Sequence, residues 1–246
     1  VVLDTTIGHI QREATIGGYE AADEAAERSG AVYASVATLI GAEPSEIALM
    51  TNATVAWDAV FYSIPFAPGD RILTGRAEYV SNAIALLQMQ QRKGVIVEVI
   101  EDDDSGQISL DQLRARLDDD VRLVALTHVP TNGGLVNPAA EVGAIARGAG
   151  GRDLLDACQS AGQLPLDVQT LGCHFLSATG RKFLRGPRGT GFLYVSDDVV
   201  EQLDPHVLEL ASATWTSPTT YEIKPGASRF ETWERNVAAL LGLGAA

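Results

Sequence analysis

A short basic segment, TGRKFLRGPRGTG at residues 179–191, is the first place where the residue types of this sequence suggest chemistry. It contains Arg181, Lys182, Arg185 and Arg188 and no acid, in a chain with a formal net charge of −14 and only 18 lysines and arginines. A solvated surface would mix the signs of charge, whereas here four glycines and a proline separate the cations. We therefore expect this segment to bind an anion.

Lys182 is the candidate nucleophile of this segment. The other two lysines have structural explanations, since Lys93 ends a predicted helix and Lys224 lies in a polar loop before Pro225. Lys182 follows a predicted strand and opens the glycine-rich loop, a position at the sheet edge where ligand crevices form. An amine there serves either as a phosphate clamp or as the Schiff-base partner of an aldehyde cofactor.

Asp156 ends the predicted strand LLDA, and 26 residues separate it from Lys182, a spacing that suits neighbouring strands. Its carboxylate can pair with the ring nitrogen of an aromatic cofactor, with Gln159 forming a hydrogen bond nearby. It can equally act as a helix N-cap, and the sequence leaves both interpretations open.

Two further turns are expected at the same edge of the sheet. TNAT at Thr51–Thr54 lies between a strand and a helix, where free amides, hydroxyls and the helix dipole make an anion site, although Asn52 can also be a simple cap. Tyr79 comes just after another strand, where its ring either stacks on a flat ligand or is buried in the core.

A fourth strand end carries THVPTNGG at residues 127–134. It brings His128, Thr131 and Asn132 to the edge that holds the other candidates. We interpret His128 as a core residue rather than a general base.

Alternating apolar runs and helical stretches predict an α/β fold. The seven predicted strands are residues 46–50, 71–74, 95–100, 122–129, 154–157, 175–179 and 191–195, and the predicted helices are residues 19–40, 54–62, 79–91, 110–117 and 139–147. Most strands are far enough apart for parallel crossovers, but a glycine-rich loop joins the last two, so we expect one antiparallel strand.

Composition excludes several classes of function. The acidic balance argues against binding to nucleic acid or to an anionic membrane. No run of 18 apolar residues and no signal peptide is found. Cys158 and Cys173 show no metal or disulfide spacing, which predicts a cytoplasmic protein with both thiols in the core. The acidic turns at residues 101–106 and 118–120 are interpreted as solvated loops, without a metal.

Two segments, LLDACQSAGQLPLDV at residues 154–168 and FLSATGRKFLRGPRGTGFLYV at residues 175–195, resemble the Asp-x-x-Gln and Ser-Gly-His-Lys elements of a known family. The sequence is similar, from about Glu46 to Asn236, to fold-type-I enzymes that use pyridoxal 5′-phosphate, in the class V aminotransferase and cysteine desulfurase superfamily. The resemblance implies a mostly parallel sheet of seven strands with one antiparallel strand and helices on both faces.

The resemblance also implies roles for single residues. Lys182 would hold the cofactor as a Schiff base and move the substrate Cα proton, while Asp156 would pair with the pyridine nitrogen. Gln159 would contact the phenolic oxygen of the ring. The phosphate-binding turn would consist of Ala53, Thr54, Thr179 and Arg181.

The chain departs from the family pattern at some positions. The family usually has His where this chain has Tyr79 and Arg181, so ring stacking and phosphate contact by these two are hypotheses. A family Asn aligns with Thr131 or, after a shift of one residue, with Asn132. Arg229 is a candidate for substrate or phosphate contact or, alternatively, for an ion pair with a nearby glutamate.

Within the superfamily, the chain looks most like isopenicillin N epimerase-like proteins and the carbon–sulfur lyase of ergothioneine synthesis. This similarity implies β-elimination from a cysteine S-conjugate sulfoxide to give pyruvate, ammonia and a sulfur-bearing product. The alternatives are a class V aminotransferase, an amino-acid epimerase, a cysteine desulfurase and a non-catalytic relative that binds the cofactor.

The resemblance implies three parts along the chain and a homodimer with its site at the subunit interface. We expect residues 1–45 to be an N-terminal helical segment, residues 46–236 to form the large cofactor-binding domain, and residues 237–246 to begin a helix leading to a small C-terminal domain that the sequence lacks.

Overall fold

A seven-stranded mixed sheet lies at the centre of the computed structural model, which describes all residues from 1 to 246. Its strands are β1 (Ile47–Met50), β2 (Arg71–Gly75), β3 (Ile96–Ile100), β4 (Val121–Thr127), β5 (Arg152–Asp156), β6 (Phe175–Thr179) and β7 (Gly191–Val195). The order is β1-β7-β6-β5-β4-β2-β3, with β7 antiparallel to both of its neighbours and the other pairs parallel. The predicted fold class is confirmed.

Helices cover both faces of this sheet. They are α1 (Val2–Ile16), α2 (Gly18–Glu24), α3 (Ala26–Ile40), α4 (Ala53–Phe61), α5 (Val80–Lys93), α6 (Leu110–Arg116), α7 (Ala139–Gly148), α8 (Val168–Leu171) and α9 (Val237–Gly244). None of them is long and apolar enough to cross a membrane.

Alternation along the strands gives the molecule two apolar cores. On β4 and β5, for example, Leu126 and Leu155 join a cluster with α3, α7 and α9, while Leu123 and Leu154 join a cluster with α4 and α5. Because successive strand side chains point to opposite faces, the central strands β4, β5 and β6 are buried on both sides, whereas most residues of the edge strand β3 are half-buried or exposed.

The N-terminal part differs from the prediction. The single helix expected over residues 19–40 is divided at Ala25, whose φ of −94° and ψ of 3° interrupt the helical geometry between α2 and α3. Helix α1 lies within the N-terminal helical segment expected over residues 1–45, but the sequence pattern gave no bounds for it. The residues after Asn236 form α9, which packs against α1 and α3, and Asn236 caps this helix by accepting a hydrogen bond from the Ala239 amide at 2.8 Å.

A two-stranded hairpin of β8 (Ala213–Ser217) and β9 (Thr220–Ile223) lies outside the main sheet. Its residues are half-buried or exposed, with Trp215 78% exposed, so they lack the alternation of buried and polar positions that marks a strand in a sequence. The sequence pattern therefore did not predict the hairpin.

Candidate active site

A cavity of about 340 Å³ lies at the carboxyl edge of the sheet, within the usual size range of small-molecule sites. The turns after β1, β2, β4, β5 and β6 form its walls, together with the loop that leads into β7. Nine of the eleven predicted site residues line it: Ala53, Thr54, Tyr79, Thr131, Asp156, Gln159, Thr179, Arg181 and Lys182. The fold thus brings together side chains from five separate strand ends.

Asp156 and Lys182 come from neighbouring parallel strands. Asp156 is the last residue of β5 and pairs in register with Ser177 on β6, and Lys182 follows the end of β6 by three residues. Asp156 is buried, and burial raises the pKa of its carboxyl group, whereas hydrogen bonds and the charge of Lys182 act in the opposite direction. A buried carboxylate at a cavity wall is stabilised by a cationic partner.

The alternative that Asp156 is a helix N-cap is not supported. Its Oδ1 accepts a hydrogen bond from the Cys158 amide at 2.9 Å, which is a local turn, and the next helix, α8, begins at Val168. Its Oδ2 accepts a hydrogen bond from Nδ2 of Asn82 at 2.9 Å. Both carboxylate oxygens are thus held in place while the group faces the cavity.

The turn at Thr51–Thr54 forms another wall of the cavity. Asn52 caps α4, because its side chain accepts a hydrogen bond from the Val55 amide at 2.9 Å. The first main-chain bond of this helix runs from the Ala56 amide to the Asn52 carbonyl, so the amides of Ala53 and Thr54 have no intrahelical acceptor. Free amides at a helix N-terminus bind phosphate and other anions.

The basic segment keeps its positive charge available. None of Arg181, Lys182, Arg185 and Arg188 forms an ion pair, whereas nine other arginines of the chain do. Arg181, Lys182 and Arg188 all line the cavity. This uncompensated charge agrees with the anion expected from the sequence.

Of the remaining predicted residues, some line the cavity and others do not. Tyr79 is 38% exposed and lines the cavity, so stacking on a flat ligand remains a prediction. Thr131 lines the cavity and accepts a hydrogen bond from Nε2 of Gln159 at 3.4 Å, while Asn132 is exposed outside the lining. His128 is buried beside Ser160 and away from the cavity, as its interpretation as a core residue requires.

Arg229 lies outside the cavity of this chain. It is 3% exposed, donates from Nη1 to the carbonyl of Val200 at 2.9 Å and forms an ion pair with Glu201. The ion-pair interpretation therefore fits this chain better than ligand contact, although the partner is Glu201 rather than the nearby Glu231 or Glu234.

The prediction that both thiols lie in the core is wrong for Cys158. Cys173 is buried, but Cys158 is only partly buried and lines the cavity near Lys182. Burial, followed by the charge of Asp156, raises the pKa of the Cys158 thiol. The core prediction failed for Cys158 because this residue directly follows the predicted strand LLDA at residues 154–157, whereas β5 already ends at Asp156 and Cys158 lies in the turn after it.

Other cavity residues were not predicted at all. Asn82 lines the site, and Glu78 lies behind it in hydrogen-bond contact with Asn82. Asn82 lies in the first turn of α5, and Glu78 precedes it by four residues, just before that helix begins. That spacing was the one signal in the sequence that could have identified the pair.

Comparison with known proteins gives consistent results. The family model described as "Aminotransferase class-V" matches residues 4–246. A probable cysteine desulfurase of Methanothermobacter thermautotrophicus is 33% identical over 229 residues, which cover 93% of this chain and 57% of the relative. A cysteine desulfurase of Dickeya dadantii is 35% identical over 222 residues, covering 87% of this chain and 53% of the relative.

Solved structures show the same likeness. A complex of the cystine C–S lyase C-DES with its product cysteine persulfide superposes with a TM-score of 0.91 at 26% identity, covering the whole of this chain and 67% of the other. The apo cysteine desulfurase of Thermococcus onnurineus gives a TM-score of 0.86 at 28% identity over 92% of this chain and 56% of the other.

These relatives are named for cysteine desulfuration and cystine C–S cleavage, rather than for the ergothioneine lyase or the epimerase-like proteins that the sequence resembled. The chain spans little more than half the length of these curated relatives. Fold, site and family model agree, and the chain belongs to the class-V aminotransferase family.

Proposed function

We propose that this chain forms the cofactor-binding part of a pyridoxal phosphate enzyme that cleaves a carbon–sulfur bond in a cysteine-derived amino acid. The observation that carries the proposal is that Lys182 and Asp156 line one cavity together with a helix N-terminus suited to phosphate. The names of the relatives support C–S chemistry, and a C-DES variant with glycine covalently linked to its pyridoxal phosphate cofactor has a TM-score of 0.91 to this chain.

The residues of the cavity fit this cofactor at each of its functional groups. The Lys182 amine suits the aldehyde, and the buried Asp156 carboxylate suits a protonated ring nitrogen, because that cation offsets the cost of burying the charge. Arg181 and the free amides of Ala53 and Thr54 suit the phosphate. When bound, pyridoxal phosphate supplies the electron sink that a β-elimination needs.

The chain's own groups then have defined tasks. The Lys182 amine takes the proton from the substrate Cα, the Cβ–S bond breaks, and the sulfur group leaves with the electron pair of that bond. Asp156 would hold the ring nitrogen of the bound cofactor by accepting a hydrogen bond from it. Thr131 and Gln159, joined at 3.4 Å, are placed to orient the ring substituents.

A second cavity supports a substrate larger than cysteine. It has a volume of about 310 Å³, shares Thr51 and Gly189 with the first cavity, and is lined in half by hydrophobic residues. We propose that it receives the sulfur substituent of a cysteine S-conjugate sulfoxide, which leaves as a sulfenate.

Cysteine desulfuration is the second candidate, because it is the activity named for the curated relatives. That reaction needs a nucleophilic thiol to accept the sulfur atom. Cys173 is buried, and the pKa of the Cys158 thiol is raised rather than lowered, so neither cysteine of this chain is an activated nucleophile.

We also propose a homodimer in the cytoplasm. Val80, Ile84 and Leu87 form an apolar stripe on α5 and are 63%, 60% and 52% exposed, next to the cavity residue Tyr79. A second copy packed on this stripe would bury it beside the site. Both cysteines are free, which fits a reducing compartment.

The cofactor part of the proposal is tested by absorbance. Purified full-length protein mixed with pyridoxal phosphate should give a visible band that borohydride removes, while Lys182→Ala should give none. Lys93→Ala, in the last turn of α5, is the matched control and should behave as the wild type. Absence of the band in the wild type would overturn the enzyme assignment.

The reaction is tested by its products. A panel of S-substituted cysteine sulfoxides should release pyruvate faster than it releases alanine, whereas L-cysteine should be a poor substrate. Release of alanine from L-cysteine as the faster reaction, with sulfide appearing only when a thiol reductant is added, would favour desulfuration. Exchange of the amino group with a keto acid, without pyruvate, would favour an aminotransferase, and inversion at Cα would favour an epimerase.

A further inference from the structure

A chain of hydrogen bonds runs behind the cavity from Asp156 into the body of the protein. The Nδ2 atom of Asn82 lies 2.9 Å from Oδ2 of Asp156 and 2.9 Å from Oε1 of Glu78. One amide nitrogen carries two hydrogens, so Asn82 donates to both carboxylates at once. The reversed amide would place its oxygen against two carboxylate oxygens, so the charges on both sides fix the orientation of Asn82.

Glu78 is held more firmly than its position in a loop suggests. Its Oε1 accepts hydrogen bonds from the Tyr79 amide at 2.7 Å and from the Thr127 hydroxyl, and its Oε2 accepts one from the Thr74 hydroxyl at 3.1 Å. Thr74 belongs to β2 and Thr127 to β4, while Tyr79 begins α5. Glu78 therefore links two strands, through hydrogen bonds, to the helix that carries Asn82.

The position of Glu78 just before the N-terminus of α5 also explains how two acidic groups coexist behind the cavity. Burial and the charge of Asp156 raise the pKa of Glu78, while its hydrogen bonds and the amide of Tyr79 act in the opposite direction. Free amides at a helix N-terminus stabilise negative charge. The α5 helix thus offsets part of the repulsion between the two carboxylates.

We propose that Glu78 and Asn82 are positioning residues that fix the Asp156 carboxylate in the orientation needed by the cofactor ring. The inference rests on the proposed function, because it concerns the same cavity. Asn82 prevents rotation of Asp156 about its side-chain torsions, and Glu78 prevents rotation of Asn82. Neither residue needs to touch the cofactor to do this.

The test compares two pairs of variants in the full-length protein. Asn82→Ala removes the bridge, and we expect the dissociation constant of pyridoxal phosphate to rise about tenfold, which corresponds to the loss of one hydrogen bond to a charged group. Glu78→Ala should weaken binding in the same direction. Glu78→Gln should restore most of the affinity, because the amide oxygen can still accept from Asn82 and from the Tyr79 amide.

Gln88→Ala is the matched control, since Gln88 also lies on α5 and accepts a hydrogen bond from the Tyr62 hydroxyl outside the cavity. It should leave cofactor affinity unchanged. Circular dichroism of each apoprotein establishes folding, and the pH dependence of the visible cofactor band gives a reading that is independent of turnover. That pH dependence should change in Asn82→Ala and stay as in the wild type in Gln88→Ala.

The outcomes separate this inference from the function on which it depends. If the wild type forms no band with pyridoxal phosphate, the proposed function fails first. If the wild type binds the cofactor and folded Asn82→Ala binds it equally well with the same pH dependence, the positioning role is wrong. If Glu78→Gln is as impaired as Glu78→Ala, the hydrogen-bond geometry is not what Glu78 supplies, and the inference also fails.

Discussion

Gly191, the first residue of β7, lies against the main chain of Asn52. A β-carbon built at Gly191 would be 3.0 Å from the Asn52 Cα and 2.6 Å from the Ala178 carbonyl oxygen. Contacts this short are not tolerated between backbone atoms, so only glycine lets β7 approach the anion-binding turn. The loop that carries Lys182 can therefore lie close to the turn that begins α4 only because Gly191 has no side chain.

Gly191→Ala should therefore damage both the fold and the anion site. Overpacking of this kind costs about 1–3 kcal/mol, and the shift of Asn52 should also weaken binding of pyridoxal phosphate. Urea unfolding and a cofactor titration measure the two effects. Gly148→Ala is the control, because a β-carbon at Gly148 would meet nothing within 4 Å. Equal urea midpoints for the two variants would contradict the prediction.

Arg229 should behave as a structural residue. It is buried and bonded to the Val200 carbonyl, so Arg229→Ala should destabilise the protein by about 1–3 kcal/mol, the cost of leaving a buried acceptor unpaired. Glu201→Gln should cost less than about 1 kcal/mol, because the Glu201 side chain is 71% exposed.

Denaturant unfolding and steady-state kinetics of both variants decide the question. We expect KM to stay unchanged wherever the protein remains folded. A raised KM in Arg229→Ala at unchanged stability would instead restore the expectation that this residue contacts a substrate, across a subunit interface.

Site residues at or just after the ends of strands could be predicted from the sequence. Residues whose role depends on a contact with a side chain far away in the sequence could not. Asp156 and Lys182 follow apolar runs, and the carboxyl ends of parallel strands converge whatever the details of packing. Asn82 reads as an ordinary polar residue in a helix, because its partner Asp156 is 74 residues away. Arg229 was a candidate for substrate or phosphate contact, with a nearby glutamate as its alternative partner, whereas its ion-pair partner Glu201 lies 28 residues earlier.

The same distinction explains the fold predictions. Burial on both faces gives β4, β5 and β6 an apolar signature that sets their positions. The β8–β9 hairpin is exposed, and its residues leave no periodic pattern. Helix α1 has only one buried residue, His9, so its sequence gives little indication of a buried face.

The apolar stripe on α5 should be a subunit interface. Leu87→Glu places a charge on a surface that a second copy would cover, so it should shift the protein from dimer to monomer at micromolar concentration. Leu39→Glu is the control, because Leu39 is 41% exposed on a different helix, α3. Sedimentation of the full-length variants measures the change. Identical behaviour of the two variants would refute this interface.

Asp153 should make stability depend on pH in the neutral range. It is 1% exposed at the start of β5, and neither carboxylate oxygen has a hydrogen-bond partner. Burial raises the pKa of its carboxyl group to about 8, only partly offset by the charge of Arg147. Because the folded state keeps a proton that the unfolded state has lost, stability falls as the pH rises from about 4 to about 8.

Neighbouring groups titrate in other ranges, so the effect can be isolated. The pKa of His174 is lowered to about 4 by burial, so its contribution lies below pH 6.5 and has the opposite sign. The Cys173 thiol stays protonated, because burial raises its pKa well above the ordinary value. The range from about pH 6.5 to pH 8 is therefore the one in which Asp153 is best separated from them.

Asp153→Asn keeps the shape of the side chain and removes the titration. Between these pH values the free energy of unfolding of the wild type should fall, relative to the variant, by up to about 1.4 kcal/mol per pH unit. Urea unfolding at three pH values measures the difference. Asp104→Asn, in an exposed turn, should follow the wild type at every pH. If the free energy of unfolding of Asp153→Asn and of the wild type changed with pH in the same way, the prediction would be wrong. The buried carboxyl group would then already be ionised and paired with Arg147.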